Sequence, residues 1–131
     1  MAEIKVPIRS EEDIVLARQT ARQFAQGMGF GAVDRTRILT AVSELTRNIR
    51  EYAHKGIVIF NQVAKDGRDG LNIVFEDQGP GIPDVGKALE DGFSSHRGMG
   101  QGLPGARRLV DEFAIESEVG VGTTIVITKW V

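Results

Sequence analysis

The chain has 131 residues, with 16 Lys+Arg, 18 Asp+Glu and no cysteine. This length predicts one domain, residues 1–131, whose core needs no disulfide or metal, and the lack of cysteine excludes thiolate nucleophiles and thiolate zinc sites. The net charge of −2 argues against nucleic acid as a partner, because such binding depends on many cationic contacts with phosphates. Without a long apolar run or a signal-peptide hydrophobic region, we expect a cytoplasmic protein with no membrane partner.

The N-terminal part of the chain predicts an edge strand followed by two helices. Residues 3–9 alternate between apolar and polar side chains, which is typical of a half-buried strand, and Pro7 favours an edge position. Ser10 precedes three acidic residues and predicts the start of a helix that Gly27 and Gly29 end. Apolar residues at helical spacing predict a second helix over about 34–53.

The rest of the chain predicts two pairs of strands. Strands at 57–64 and 71–76 are joined by KDGRDG, whose Asp-Gly pairs favour a tight reversal and an antiparallel hairpin. A helix over about 103–112 precedes strands at 113–118 and 123–130. Because helices and strands occur in separate blocks, the sequence predicts an α+β fold with two layers.

Glu44 and Asn48 lie one helical turn apart, at the margin of the apolar stripe of the second helix. A carboxylate and an amide in this position can bind a hard cation such as Mg²⁺ or accept a proton from a hydroxyl. An ExxxN pair is also common on a solvated helix surface, so the pair alone leaves both interpretations open.

Asp77, Gly79 and Gly81 follow the strand LNIVFE directly, within DQGPG. A carboxylate at a strand end can accept a hydrogen bond from an exocyclic amine, and glycines beside it let a flat ring approach the backbone. A simple Pro-Gly turn is the alternative, but the combination favours a ring-binding site.

Gly98, Gly100 and Gly102 precede a predicted helix, beside Arg97. Backbone amides without side chains at the positive end of a helix suit phosphates. A dinucleotide fingerprint needs a preceding strand and a P-loop needs GxxxxGK[ST], and this segment has neither. A flexible loop that precedes a helix is the remaining alternative.

The ordered set of these motifs, together with Gly-Thr at residues 122–123, resembles the GHKL ATPase/kinase superfamily over essentially the whole chain. The resemblance implies the Bergerat fold, an α+β sandwich in which ATP lies between helices and a mixed, mostly antiparallel sheet. It implies that Glu44 is the catalytic base, Asn48 the Mg²⁺ ligand and Asp77 the partner of the adenine amine, with a mobile lid over about 83–97. The positions that it assigns to nucleotide binding are Asn48, Asp77, Gly79, Gly81, Ile82, Arg97, Gly98, Gly100, Gly102, Leu103 and Thr123.

Within this superfamily, the short chain favours the small serine-protein kinases of bacterial partner switching. The stretches SELTRNIREYA, EDQGPGIPD, EDGFSS and GLPGARRLVDEF resemble the stressosome switch kinases. Tyr52 lies where anti-sigma factor kinases typically have histidine, which weakens the inference that this chain binds a sigma factor.

This resemblance implies an ATP- and Mg²⁺-dependent serine/threonine kinase of a stress response. Its substrates would be STAS-domain scaffold or antagonist proteins of the stressosome. After release it would bind the N-terminal region of a PP2C-type phosphatase and activate it. Two alternatives stay open: an anti-sigma factor kinase that binds a sigma factor, and a non-catalytic module of the same fold that works by binding alone.

Overall fold

The computed structural model describes residues 2–90 and 103–131, which form five strands and four α-helices. The strands are β1 (Ile4–Ile8), β2 (Gly56–Lys65), β3 (Arg68–Asp77), β4 (Glu112–Glu118) and β5 (Gly122–Trp130). The helices are α1 (Glu11–Gly27), α2 (Ala32–Asn48), α3 (Val85–Ala88) and α4 (Leu103–Leu109). A π-helical segment, Ile49–Ala53, follows α2 directly.

The strands form one sheet in the order β1-β2-β3-β5-β4. This arrangement confirms the predicted α+β sandwich, and β1 lies at an edge of the sheet, as Pro7 predicts. Every pairing among the described strands is antiparallel, so this part of the sheet lacks the parallel pair of a mixed sheet. Because β5 lies between β3 and β4, the end of β3 lies beside the start of β5.

The β2–β3 hairpin confirms the predicted reversal and fixes its turn. Asp66 and Gly67 have φ values of 53° and 78°, and a two-residue turn with positive φ at both positions matches the right-handed twist of the strands. The strands extend one to three residues further toward this turn than predicted, since Lys65 pairs with Arg68.

The core lies between the sheet and the helices α1 and α2. Phe24 of α1 and Phe60 of β2 are fully buried, and their rings stack with centroids 5.7 Å apart. Leu45 and Ile49, at the end of α2 and just beyond it, belong to the same buried cluster. Since each such side chain contributes about 1.5–3 kcal/mol when fully buried, this packing fixes the end of α2 over the sheet.

The first helix begins and ends as predicted, whereas the second differs. Ser10 caps α1, its hydroxyl accepting from the Asp13 N–H at 3.3 Å. The α-helical part of the second helix ends at Asn48, and the π-helical segment ends at Ala53, followed by His54 with a φ of 68°. Apolar spacing does not predict this change, because five residues are too few to distinguish a wider turn from an α-helix.

An ion pair involving Lys129 joins the C-terminal strand to two other parts of the chain. The Lys129 side chain is only 10% exposed, and its Nζ lies 3.1 Å from both carboxylate oxygens of Asp111 and 3.5 Å from the Asp34 carboxylate. Burial raises the pKa of Asp111, but hydrogen bonds from the Trp130 N–H and Lys129 outweigh burial, so the pKa is lowered overall. The interaction therefore holds β5 to the N-terminal turn of α2.

We expect Asp111→Asn to lower the free energy of unfolding near neutral pH by about 1–2 kcal/mol, because charge-assisted hydrogen bonds are lost at a partly exposed site. Because the native pKa of Asp111 is lowered, its stabilisation is present above the ordinary value of 3.8 and is lost as the pH falls below it. Urea titrations of the wild type and the variant should therefore converge as the pH falls below about 4.

The matched control is Glu116→Gln, which makes the same charge change on the exposed side of β4 and should alter stability by less than about 0.5 kcal/mol. A stability difference for Asp111→Asn that does not change with pH would contradict the assignment.

Candidate functional site

A pocket opens where the end of α2, the end of β3 and the start of β5 meet. Its empty space, with the open mouth included, is about 460 Å³. Its lining residues are Leu45, Asn48, Ile49, Tyr52, Ala53, Phe75, Asp77, Pro80, Gly81, Ile82, Leu103, Thr123 and Ile125. The structure thus brings together six of the residues singled out by the sequence, namely Asn48, Asp77, Gly81, Ile82, Leu103 and Thr123.

Glu44 and Asn48 differ in their relation to this pocket. Asn48, the last residue of α2, lines the pocket, whereas Glu44 lies one turn earlier and outside its lining. The Glu44 carboxylate accepts a hydrogen bond from the Arg47 guanidinium at 3.1 Å, and its side chain is 38% exposed. The carboxylate is therefore accessible to a molecule that approaches from solvent.

Asp77 supplies a half-buried carboxylate to the pocket wall. Its Oδ1 accepts from the Gly79 N–H at 2.8 Å. Burial raises the pKa of Asp77, and hydrogen bonds from the backbone of Gly79 and Thr123 oppose the rise without cancelling it. A carboxylate that has lost part of its hydration is a strong acceptor for a ligand donor.

Gly79 and Gly81 are both required by contacts within the protein. A Cβ on Gly79 would lie 2.6 Å from the Ala53 Cβ, and a Cβ on Gly81 would collide with the Glu118 carbonyl. Gly81 also has a φ of +78°, a conformation that other residues rarely adopt. The sequence predicts that both glycines lie beside a bound ring; in the structure Gly81 lines the pocket, whereas Gly79 packs against the π-helical segment.

Tyr52 is a lining residue that spacing alone does not identify. Burial, followed by the neighbouring Glu51 carboxylate, raises the pKa of Tyr52 to about 12. The phenol hydroxyl is a hydrogen-bond donor, and its partner is the side chain of Glu51. A π-helical turn changes the direction of the side chains that follow Asn48, so an α-helical projection of the sequence misplaces Tyr52.

Ser117 of β4 is a second residue that the motifs do not indicate. Its Oγ accepts from the Ile82 N–H at 2.7 Å and lies 2.8 Å from Thr123 Oγ1 and 3.2 Å from the Gly122 carbonyl oxygen. Both Ile82 and Thr123 line the pocket. A serine in a strand has no distinguishing pattern, so its position becomes evident only when the strands are paired.

Several predicted positions lie outside the described residues. They are Arg97, Gly98, Gly100, Gly102 and residues 91–97 of the predicted lid. The described part of the lid contains α3, which is capped by Asp84, whose Oδ1 accepts from the Lys87 N–H at 2.9 Å. Leu103 begins α4 with its side chain buried, so α4 starts at the pocket.

Within residues 2–90 and 103–131, no group of three His, Asp or Glu side chains is placed to bind a metal ion. Asn48 is the amide oxygen donor that the described lining offers to a hard cation. In the same ranges, no helix is both long and apolar enough to cross a bilayer.

The sequence of residues 8–129 matches the histidine kinase-like ATPase domain family. The chain therefore belongs to this family, which agrees with the predicted fold and implies the use of ATP.

Individual relatives indicate which kind of protein in the ATPase domain family this chain resembles. The serine/threonine-protein kinase RsbT of Bacillus subtilis (strain 168) is 56% identical to this chain, and the alignment covers 95% of this chain and 94% of that protein. The anti-sigma F factor of Clostridium acetobutylicum is 31% identical, with 97% and 91% covered. A chain in the crystal structure of the SiaB-SiaC complex from Pseudomonas aeruginosa superposes with a TM-score of 0.60 at 14% identity, covers 100% of this chain and 90% of that one, and shows the same fold.

These relatives confirm the prediction of a protein serine/threonine kinase of the partner-switching type. A protein kinase acts on protein substrates, so this class implies a protein partner for the chain.

Gly79→Ala tests the packing of Gly79 against Ala53 beside the pocket. We expect it to lower the free energy of unfolding by about 1–3 kcal/mol, because the new methyl group would collide with Ala53 and crowd the Asp77 carboxylate. Thermal unfolding measures the effect. Gly105→Ala is the control, since a Cβ on Gly105 of α4 meets nothing within 4 Å and alanine favours a helix by about 0.5–1 kcal/mol. An unchanged melting temperature for Gly79→Ala would contradict the contact with Ala53.

Proposed function

We propose that this chain, as a single kinase domain over residues 1–131, transfers the γ-phosphate of ATP to Ser/Thr of STAS-domain stressosome proteins. After release from them it binds the N-terminal region of a PP2C-type phosphatase and activates it. The kinase class stands on the comparisons; the substrates and the phosphatase are the part that we add.

The observation that supports this proposal most is the convergence of three separate motifs on one pocket. Asn48 comes from α2, Asp77 from the end of β3 and Thr123 from the start of β5. Asp77 and Thr123 are neighbours in the sheet register, and Asn48 lies at the opposite, helical wall. The sequence separates these residues by 29 and 46 positions, so only folding brings an amide, a carboxylate and a hydroxyl to one cavity.

The proposed roles of Asp77 and Glu44 follow from their positions relative to the pocket. Asp77, half-buried and partly desolvated, would accept a hydrogen bond from the adenine amine in the pocket. Glu44, outside the lining and exposed to solvent, would face the incoming protein. A carboxylate in the pocket wall thus suits recognition of the small molecule, and a solvent-accessible carboxylate outside the lining suits a reaction with a macromolecule.

Phosphotransfer requires a base because a Ser/Thr hydroxyl is a weak nucleophile at neutral pH. The Glu44 carboxylate would take the hydroxyl proton while the substrate oxygen bonds to the γ-phosphorus. The bond from that phosphorus to the bridging oxygen breaks, and ADP leaves. Arg47, 3.1 Å from the Glu44 carboxylate, would hold the carboxylate in place before the substrate arrives.

The oxygen donor of the pocket suits Mg²⁺, which the protein and the phosphates of ATP would coordinate together. The ion prefers oxygen donors and usually keeps few protein ligands beside phosphate oxygens and water, and when bound it neutralises phosphate charge. Asn48 would supply the protein oxygen. Arg97, Gly98, Gly100 and Gly102 are proposed to contact the phosphates on the basis of sequence, through a side-chain cation and backbone amides.

The identities support a switch kinase over an anti-sigma factor kinase. The chain is 56% identical to RsbT and 31% identical to the Clostridium acetobutylicum anti-sigma F factor at similar coverage. A pull-down with a sigma factor and with the phosphatase N-terminal region separates the two, since our proposal requires retention by the phosphatase region.

Incubation with radiolabelled ATP and a STAS-domain protein tests both the kinase activity and the role of Glu44 as the general base. We expect the wild type to transfer phosphate only with Mg²⁺ present. Glu44→Ala should lower transfer by at least about 100-fold, the usual contribution of general base catalysis, while the Kd for ATP measured by calorimetry changes less than about twofold.

Glu12→Ala removes an exposed carboxylate of α1 and is the control that should transfer normally. Unchanged transfer by Glu44→Ala would exclude Glu44 as the base. No transfer by the wild type to any STAS-domain protein would refute the proposed reaction and leave a binding module.

Asp77→Asn tests recognition of the adenine ring of ATP. Because an amide is a poorer acceptor than a partly desolvated carboxylate, we expect ATP to bind at least about tenfold more weakly by calorimetry. Asp69→Asn makes the same change at the exposed opposite end of β3 and should leave the affinity unaltered. Equal affinities for wild type and Asp77→Asn would remove Asp77 from the site.

A further inference from the structure

Ser117 connects two walls of the pocket without lining it. Ile82 follows the DQGPG loop, and its N–H donates to Ser117 Oγ at 2.7 Å. Thr123 lies opposite Ser117 in the β4–β5 register, with the two hydroxyl oxygens 2.8 Å apart. Asp77 lies opposite Thr123 on its other side. Asp77, Thr123 and Ser117 therefore form one row across three strands, here called the transverse row.

The hydroxyl of Ser117 has one proton, and its surroundings offer two acceptors. It accepts from Ile82 and can donate either to Thr123 Oγ1 at 2.8 Å or to the Gly122 carbonyl oxygen at 3.2 Å. In the first case the Thr123 proton is free for a ligand acceptor. In the second case Thr123 donates to Ser117 and offers its oxygen to a ligand donor. Ser117 thus sets the polarity that Thr123 presents to the pocket.

The DQGPG loop has a second connection to the same hairpin that does not involve Ser117. The Gly120 N–H donates to the Pro80 carbonyl at 2.9 Å, and Gly81 packs directly on the Glu118 backbone. Loss of the Ser117 hydroxyl would therefore leave the loop attached, but it would leave the Ile82 N–H without its acceptor and Thr123 without its partner. The expected defect is in the orientation of two lining residues rather than in folding.

We propose that Ser117 is a positioning residue of the nucleotide site, which holds the Ile82 backbone and the Thr123 hydroxyl in the orientation that meets the purine ring of ATP. This inference rests on the proposed function, because it assumes that the pocket binds ATP. It assigns a role in affinity and none in the phosphotransfer step, since Ser117 acts only through Ile82 and Thr123.

The test compares Ser117→Ala, Ser117→Thr and the wild type by calorimetry with ATP, by steady-state phosphotransfer and by thermal unfolding. In Ser117→Ala the Kd and KM for ATP should rise about fivefold to tenfold, as expected for the loss of one or two part-buried hydrogen bonds, while kcat changes less than about twofold. Ser117→Thr keeps the hydroxyl and should restore the Kd to within about twofold of the wild type.

The matched control is Thr124→Val, which removes a hydroxyl from β5 one residue from Thr123, on the other face of the sheet. Its Kd for ATP should equal that of the wild type. Equal affinities for Ser117→Ala and wild type would overturn the role of Ser117, and so would an equal loss in Ser117→Thr or a loss of kcat alone.

The outcomes distinguish this inference from the proposed function. ATP binding is measured without a protein substrate, so failure of the wild type to phosphorylate STAS-domain proteins refutes the proposed reaction and leaves the Ser117 result standing. Failure of the wild type to bind ATP at all refutes both.

Discussion

The position of β5 between β3 and β4 is the constraint on which the nucleotide pocket depends. Antiparallel pairing on both sides of β5 forms the transverse row, in which Asp77 and Thr123 line one wall and Ser117 lies next to Thr123. A slip of one residue in either pairing would turn these side chains to the other face of the sheet. Gly122 permits the close approach of the strands, because any side chain there would collide with the Asp77 carbonyl. The polar wall is therefore a product of sheet pairing, and loops only complete it.

The facing wall depends on the end of α2. Burial of Leu45 and Ile49 anchors the last helical turn in the core, so these neighbours hold Asn48 at the pocket. The π-helical segment then brings Tyr52 and Ala53 to the same cavity. Since Ala53 packs on Gly79, the helical and strand walls meet in a direct contact that fixes the width of the pocket at one side.

Patterns within single elements were predictable from the sequence, and relations between elements were less so. The edge strand with Pro7, the cap at Ser10 and the Asp-Gly reversal depend on local chemistry, and the structure agrees with each. The motifs identified Asp77 and Asn48 because their order along the chain is informative. Ser117 has no local signal, since its partners are 35 and 6 residues away, and the π-helical turn that directs Tyr52 depends on tertiary packing.

The two edges of the sheet have a consequence for solubility during folding. An exposed edge strand is a template on which another chain can add by backbone pairing. On β1, Pro7 has no N–H to offer to an incoming strand. On β4, the exposed alternate positions include Glu112, Glu116 and Glu118, so two such edges brought together would repel each other. One edge thus lacks a donor and the other has like charges, and both features oppose growth of the sheet into aggregates.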